Sequence, residues 1–487
     1  MQETKSHSIK YNFLMNFILS ASQFLFPLIT FPYISRVLLA EGSGKVAFAS
    51  SVANYFLMVA SLGIPTYGIR ACAQVRDDRT ELSRTAQELL FINFVTTVLV
   101  AITYVLCILW VPRFRADETL FWVNGINIVL NMVGMNWLFQ ALEQYDYITF
   151  RSLAFKAASV ILMLMLVHQK SDYVIYGGIT VFAAAGSNIL NLFRARHYID
   201  FKWLGGYHFR RHIKPILILF AQSLAVSIYT NLDTVMLGFM RSDIDVGYYN
   251  AAVKIKSVLL SLVTSLGGVL LPRMSYYAKE DMREKFSETM TMALNFTMLI
   301  SLPLAVYFSV FSADCIQFLA GDGYAGAVRA MQIITLSIVP IGLTGILGVQ
   351  VLTAIEKEVC VLHSVIVGAV LDFILNLAFI PEMGAAGAAL ATTITEFAVL
   401  GVQLLYTRDL ISGVKNRLHG KAYFLLLFPA SFCAYLTHGL GLNSVFVELV
   451  VSAGAFFLVY GTGLLLIRDE FSQMVVNWLR KKTGKRK

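Results

Sequence analysis

Apolar residues run in long unbroken stretches along this chain, separated by short connections that hold most of its charge. Fourteen stretches are long enough to cross a bilayer: 11–35, 44–69, 86–111, 119–140, 152–168, 173–193, 213–240, 246–271, 289–311, 327–353, 360–380, 385–406, 422–440 and 445–467. The runs are continuous, not alternating, and a helix satisfies its own backbone polar groups in lipid, so spanning helices are expected and barrel strands are not. The first run is too long for a removable signal peptide and lacks a small-residue cleavage site, so it is expected to stay as a span. The fold class that follows is an all-α polytopic membrane protein.

Composition agrees with that class. Hydrophobic residues make up 57% of the 487 positions and charged ones only 14%, with a mean hydropathy of +0.67; a soluble domain carries about 25% charged residues. The net charge of +9 does not point to nucleic acid, because the cations sit in the connections and form no basic domain with interleaved aromatics. Their expected partner is membrane lipid, above all an anionic inner leaflet. With the N-terminus inside, roughly 30 Lys and Arg fall on one side and about 7 on the other, which puts both termini in the cytoplasm. The heaviest contributors are Arg194 to Lys214, the connection holding Arg70, Arg76, Arg79 and Arg84, and the tail from Arg480 to Lys487. Topological anchoring explains each of them without any further role. Five cysteines (Cys72, Cys107, Cys315, Cys360, Cys433) show no metal-ligand spacing and read as reduced, small hydrophobes.

The second half echoes the first. An offset of about 203 residues aligns Gly44 and Phe48-Ala49 with Gly247 and Ala251-Ala252, and Asn93-Phe94 with Asn295-Phe296; an offset of about 213 aligns Gln140-Ala141-Leu142-Glu143 with Thr353-Ala354-Ile355-Glu356. The expected organisation is a six-helix bundle over residues 1–206, a second over 207–410, and two extra spans with a basic tail over 411–487. An even number of spans per repeat makes the copies parallel, related by a pseudo-two-fold along the membrane normal, and alternating access by rocking becomes available.

Candidate chemistry lies on polar faces within the spans. In the first span Asn12, Asn16, Ser20, Gln23, Pro27 and Thr30 follow helical spacing, which fits either hydrogen-bonded glue between helices or the wall of a wet cavity. In the eighth, Asn250, Lys254, Ser257 and Ser261 form a polar face around a lysine, while Lys256 points elsewhere among Tyr249, Val253 and Leu260. Asp233 and Lys254 are expected at similar depth. A charge at the bilayer centre costs about 2.5 to 3.5 kcal/mol, so the two are read as a structural ion pair or as members of one hydrated cavity. Asp372 and Glu396 are further candidates for ion coupling. Arg36 and Arg70, at span ends, could contact an anion or simply anchor a helix. Lys156, Glu88 and His363 are read as lying near span ends, without a special role.

Gly42-Ser43-Gly44-Lys45 lacks the upstream glycine of a phosphate-binding loop, and Val46 replaces its Ser or Thr. There is no paired-histidine metal motif and no nucleophile elbow, so the chain is not expected to be an enzyme.

Four blocks carry a family likeness: Phe31-Pro32-Tyr33-Ile34-Ser35-Arg36-Val37-Leu38, Gly63-Ile64-Pro65-Thr66-Tyr67-Gly68-Ile69-Arg70, Trp137 to Tyr145, and Asn231 to Gly238 followed by Val246-Gly247-Tyr248-Tyr249. They resemble the Wzx-type polysaccharide flippases of the multidrug/oligosaccharidyl-lipid/polysaccharide (MOP) exporter superfamily, over about 460 residues. The resemblance implies a MATE-like fold in a bacterial inner membrane and movement of an undecaprenyl-pyrophosphate-linked repeat unit to the periplasmic leaflet, for O-antigen or capsule assembly. It implies no cofactor but a proton or sodium gradient, with a polysaccharide polymerase and a chain-length regulator as partners. By position it brings Arg36, Arg70, Gln140, Glu143, Asp233 and Lys254 into the candidate set. The chain departs from the family at Leu39, where a glycine is common, so the turn there is expected to differ. The expected substrate site is Lys254, Arg36, Arg70, Asn250, Gln23, Asn16 and Gln140; Asp233, Glu143, Asp372 and Glu396 are the expected ion-coupling or charge-pair groups. Two alternatives stay open: a MATE-like drug or metabolite antiporter with an acidic, aromatic cavity, and a non-transporting scaffold of a polysaccharide assembly complex.

Overall fold

The computed structural model describes residues 9–438 and 444–474, so the first eight residues and the basic tail from Arg480 to Lys487 lie outside the described residues. Among these residues the secondary structure is helical and no strand occurs. Among the described residues, nine helical runs are individually long and apolar enough to cross a membrane. The chain forms two compact units, 1–247 and 248–487.

The first unit opens with α1 (Ile9–Ser61), two helices joined at Leu39, whose φ of 55° and ψ of −173° are not helical. The departure expected at this residue is therefore a leucine in a backbone region that favours glycine. α2 (Ile64–Ala73) follows a break at Leu62, φ 46°, so the expected second span is interrupted immediately after Ser61. Next come α3 (Arg79–Trp110), the short α4 (Pro112–Arg115) and α5 (Glu118–Met132). Asp78 caps α3 by accepting hydrogen bonds from the backbone N–H of Thr80 and Glu81 at 2.8 and 3.2 Å. The expected span 119–140 also breaks: α5 ends at Met132, Met135 takes a φ of 40°, and α6 (Asn136–Ala141) restarts the helix. α7 (Tyr145–Leu166), α8 (Tyr173–Val181) and α9 (Asn188–Ala195) complete the six-helix set. A π-helical turn at Phe182–Gly186 joins the last two. α10 (Arg210–Met240) packs on α1 and α2, and so falls in this unit although the expected repeat boundary lies at 206/207. Trp137, Leu138, Phe139, Ile64 and Leu89 are among the residues that form its main buried core.

The second unit holds most of α11 (Asp243–Val263), then α12 (Gly267–Lys279), α13 (Arg283–Val310), α14 (Ser312–Ala320), α15 (Ala327–Ile334) and α16 (Ile338–Thr344). α16 runs into a π-helical segment, Gly345–Leu352. The hairpin of α17 (Glu358–Met383) and α18 (Ala385–Tyr406) turns at Gly384, φ 56°. After α19 (Arg408–Val414), the pair α20 (Gly420–His438) and α21 (Val445–Leu466) packs on α13. Tyr307, Phe456 and Tyr460 lie in the core between them.

One backbone detail occurs in both repeats. Glu143 and Glu356, aligned by sequence, have φ of 57° and 58°. Each ends a helix with the same pair of bonds: Glu143 N to Gln140 O and Gln144 N to Phe139 O, against Glu356 N to Thr353 O and Lys357 N to Leu352 O. This is a Schellman ending with a glutamate in the left-handed position.

Candidate functional site

In the first unit the polar stripe of α1 divides. Asn12 is buried, while Asn16, Ser20 and Gln23 are exposed. Ser22 and Thr30 bond back to their own helix, at Leu19 O (2.6 Å) and Phe26 O (2.9 Å). Facing this helix is Lys156 of α7, whose ammonium donates to Ser22 Oγ at 2.7 Å and lies 5.9 Å from the centre of the Phe26 ring. The span-end reading of Lys156 is corrected: α7 starts seven residues earlier than the expected fifth span, at Tyr145, which leaves Lys156 near mid-helix. One side of the same helix also carries Arg151, which is buried. It donates to Asn136 Oδ1 (2.8 Å) and Ser187 O (3.3 Å) and sits over the Tyr147 ring. Sequence reasoning missed it, because a single Arg in an apolar run carries no sign of its partners.

Glu88 needs a second correction. It is completely buried, and its carboxylate accepts from His208 N, from Arg211 Nη2 at 2.7 Å and from His212 Nε2 at 2.6 Å. A carboxylate only accepts, so Nε2 carries the proton; in the neutral ring Nδ1 is then the acceptor for Tyr67 O–H, 2.9 Å away. Arg70 lies over the Tyr67 ring at 5.5 Å. Arg70, Tyr67, His212, Glu88 and Arg211 thus form one chain of contacts across α2, α3 and the start of α10. Arg70 is the member that sequence reasoning found.

The other expected residues of this unit are dispersed. Arg36 is exposed and donates to Pro32 O at 2.7 Å. Gln140 is half-buried at the end of α6. Glu143 pairs with Arg76 at 2.8 Å with both side chains well exposed, a surface charge pair at the helix end. Asp233 is buried on α10.

In the second unit Asn250 and Lys254 are half-buried on α11. The hydroxyls that accompany them are engaged with their own helix: Ser257 to Val253 O (2.8 Å), Ser261 to Val258 O (2.6 Å) and Thr264 to Leu260 O (3.0 Å). With their protons so placed, these hydroxyls present acceptors beside Lys254 and Asn250. Asp372 and Glu396 are both buried. They stand equally far along the chain from Gly384, so the α17–α18 hairpin puts them at one level, roughly 18 Å from its turn at 1.5 Å per residue. Asn376 donates to Asp372 Oδ2 at 3.0 Å, and Gln403 donates to Ser364 Oγ at 3.1 Å.

Long apolar helices in two units, with buried or half-buried cations and carboxylates on them, define a polytopic membrane protein, and comparison with known proteins narrows the class. The model of the family described as polysaccharide biosynthesis protein matches residues 9–278, and the MatE family model matches 219–378. A protein of Escherichia coli (strain K12) named "Putative O-antigen transporter" is 25% identical over 408 residues, 83% of this chain and 98% of that protein. The solved structure "Lipid II flippase MurJ, inward closed conformation" covers 94% of this chain and 99% of its own, with a TM-score of 0.75 at 16% identity. An inward-facing multidrug resistance MATE family transporter of the MOP superfamily covers 83% of this chain and 99% of its own, with a TM-score of 0.63 at 13% identity. The fold is MATE-like. The chain belongs to the polysaccharide biosynthesis protein family.

Proposed function

We propose that this protein moves a lipid-linked oligosaccharide, specifically an undecaprenyl-pyrophosphate-linked repeat unit, from the cytoplasmic to the periplasmic leaflet by ion-coupled alternating access. The product would feed O-antigen or capsule assembly, alongside a polymerase and a chain-length regulator. The observation that carries this reading is Lys156, an ammonium held near mid-helix against Ser22 on the polar face of α1. A pyrophosphate is the costly part of such a lipid to bring through hydrocarbon, and charge-assisted donors lower that cost while the tail stays in lipid. Lys254 with Asn250 offers the same chemistry in the second unit, and Arg36, Arg70, Gln23, Asn16 and Gln140 remain candidates in the first. Asp372 and Glu396, at one level of their hairpin, are the proposed ion-coupling carboxylates, with Asp233 as a third. The same two buried acids, the first of them within the MatE match, favour a cation antiporter as the second reading.

The deciding experiment is a leaflet-resolved translocation assay in proteoliposomes with defined lipid-linked oligosaccharides and imposed proton or sodium gradients. Lys156→Ala and Lys254→Ala should each abolish most translocation while inserting normally. Gradient-driven drug efflux without sugar translocation by the unaltered protein would replace this reading with the antiporter.

A further inference from the structure

The connection between α9 and α10, residues 196–209, is a built platform. One face of the first turns of α3 holds it. Arg79 grips the Asp200 carboxylate through two nitrogens, at 2.8 and 3.2 Å, and Ser83 Oγ accepts from Asp200 N at 2.9 Å. Arg84 donates to Gly205 O at 3.1 Å, and Gln87 donates to Lys202 O at 3.0 Å while accepting from Tyr207 O–H. Glu88 accepts from His208 N. Residues 79, 83, 84, 87 and 88 share one helical face, so the platform is positioned by a single element.

This arrangement borders an open cavity of about 380 Å³ lined by Phe91, Phe94, Phe201, Trp203, Tyr207 and Phe209, among others. Phe91 and Phe209 touch at 5.2 Å between ring centres, and Trp203 and Tyr207 at 4.6 Å. Leu192 and Phe201 also line a second cavity, of about 720 Å³, whose charged members are Arg196, Asp200 and Lys202. The Arg79 hydrogen bonds hold the Asp200 carboxyl below the usual carboxylate range, so it is ionised and already matched by Arg79. Arg196 and Lys202, both exposed, are then the charges facing the second cavity. An aromatic slot opens into a cationic vestibule at the level where the expected spans 86–111 and 213–240 meet their polar flanks.

We propose that this pair of cavities binds one anionic phospholipid of the membrane's own leaflet, a chain in the aromatic slot and the phosphate between Arg196 and Lys202. Charge complementarity selects an anionic head group, and the excess of Lys and Arg on this side of the spans faces the leaflet that supplies it. A plain aromatic anchor needs neither a slot nor a vestibule. The site lies wholly within the first unit and is independent of what the chain transports.

Native mass spectrometry of the full chain, titrated with phosphatidylglycerol and in parallel with phosphatidylcholine and undecaprenyl phosphate, tests it. One phosphatidylglycerol should be retained in preference to phosphatidylcholine. The double variant Arg196→Ser/Lys202→Ser should lose that preference by roughly thirtyfold, the equivalent of about 1 kcal/mol for each cation at an anionic surface. Leu192→Trp, which fills the neck shared by both cavities, should lose the bound lipid itself. An unchanged preference in both variants, or stronger retention of undecaprenyl phosphate than of phosphatidylglycerol, overturns the proposal. A photoreactive phosphatidylglycerol needs no substitution: label in 87–94 and 201–209 supports the site, and label confined to other segments overturns it.

Discussion

Gly44 and Gly247 meet backbone to backbone. A β-carbon on Gly44 would lie 1.7 Å from Asp243 O and 2.8 Å from Gly247 N, and one on Gly247 would lie 2.0 Å from Ala40 O. The contact is reciprocal: each glycine presses on the carbonyl four residues before the other. Gly44 and Gly247 are also the pair that the repeat offset aligns, and an isologous contact of this kind is what a two-fold relation between duplicated segments requires. Arg113 reinforces the segment, donating to Gly238 O at 2.8 Å, pairing with Asp243 and lying 4.8 Å over the Phe48 ring.

Substituting either glycine should separate the two backbones, because the obstructing atoms are main-chain and cannot rotate away. Gly44→Ala and Gly247→Ala should each destabilise by about 1 to 3 kcal/mol. The double variant should cost clearly less than the sum, since the first substitution already removes the contact. Thermal unfolding in detergent measures all three. Full additivity would mean that the two glycines do not share one interface.

The buried Glu88 cluster makes a different prediction. Glu88→Ala leaves the buried His212 Nε2–H and the His208 N–H without their acceptor, while the part-exposed Arg211 can turn to water, and each buried donor so orphaned costs about 1 to 3 kcal/mol. Tyr67→Phe removes only the hydrogen bond to His212 Nδ1 and should cost about 1 kcal/mol. Limited proteolysis at the α9–α10 connection should follow the same order, because Glu88 also holds His208 N. Equal sensitivity of the two variants would refute this ranking.

Much of this was legible in the sequence, and the exceptions share a cause. Continuous apolar runs marked the spans because lipid demands them. Hydropathy averages over a window, however, and so passed across the breaks at Leu62 and Met135, which need only one residue with positive φ. The echo of Gln140–Glu143 in Thr353–Glu356 was readable as letters, whereas the left-handed φ of both glutamates was not. Glu88 could not be read, because its partners lie more than a hundred residues downstream and only packing joins them. Lys156 was hidden by a span boundary: moving the start of α7 back to Tyr145 turns an end residue into a central one. Arg36 and Arg70 were found through their blocks, and the structure gives Arg70 a network and Arg36 a carbonyl of its own turn.

Leu39 stores strain that a glycine would release. At φ 55°, ψ −173° a side chain costs about 1 to 3 kcal/mol relative to an ordinary conformation. Leu39→Gly relieves that cost, while the greater freedom of glycine in the unfolded chain returns up to about 1 kcal/mol. The variant should therefore be at least as stable as the parent, in contrast to Leu38→Gly next to it, which empties a fully buried position. Melting temperatures of the two variants decide; a Leu39→Gly protein as unstable as Leu38→Gly would show that the residue is held for its side chain.

The last prediction concerns which lysine of α11 serves Glu396. Tyr249 O–H and Thr392 Oγ1 lie 3.1 Å apart, so the Tyr249 face of α11 packs on α18 one turn before Glu396. Helical spacing puts Lys256 on the Tyr249 side of α11 and Lys254 on the other. If both helices run inward, as the expected topology has them, Lys256 follows Tyr249 down the same seam that carries Glu396. We therefore expect Lys256 and Glu396 to be energetically coupled, and Lys254 and Glu396 much less so. A double-mutant cycle with Lys256→Met and Glu396→Gln should give a coupling of at least about 1 kcal/mol, against near zero for Lys254→Met with Glu396→Gln. The translocation assay adds an independent reading: Lys256→Met should weaken stability more than substrate handling, and Lys254→Met the reverse. Strong coupling of Glu396 to Lys254 alone would exchange the two roles, and would move the cation proposed for the substrate into the ion-coupling set.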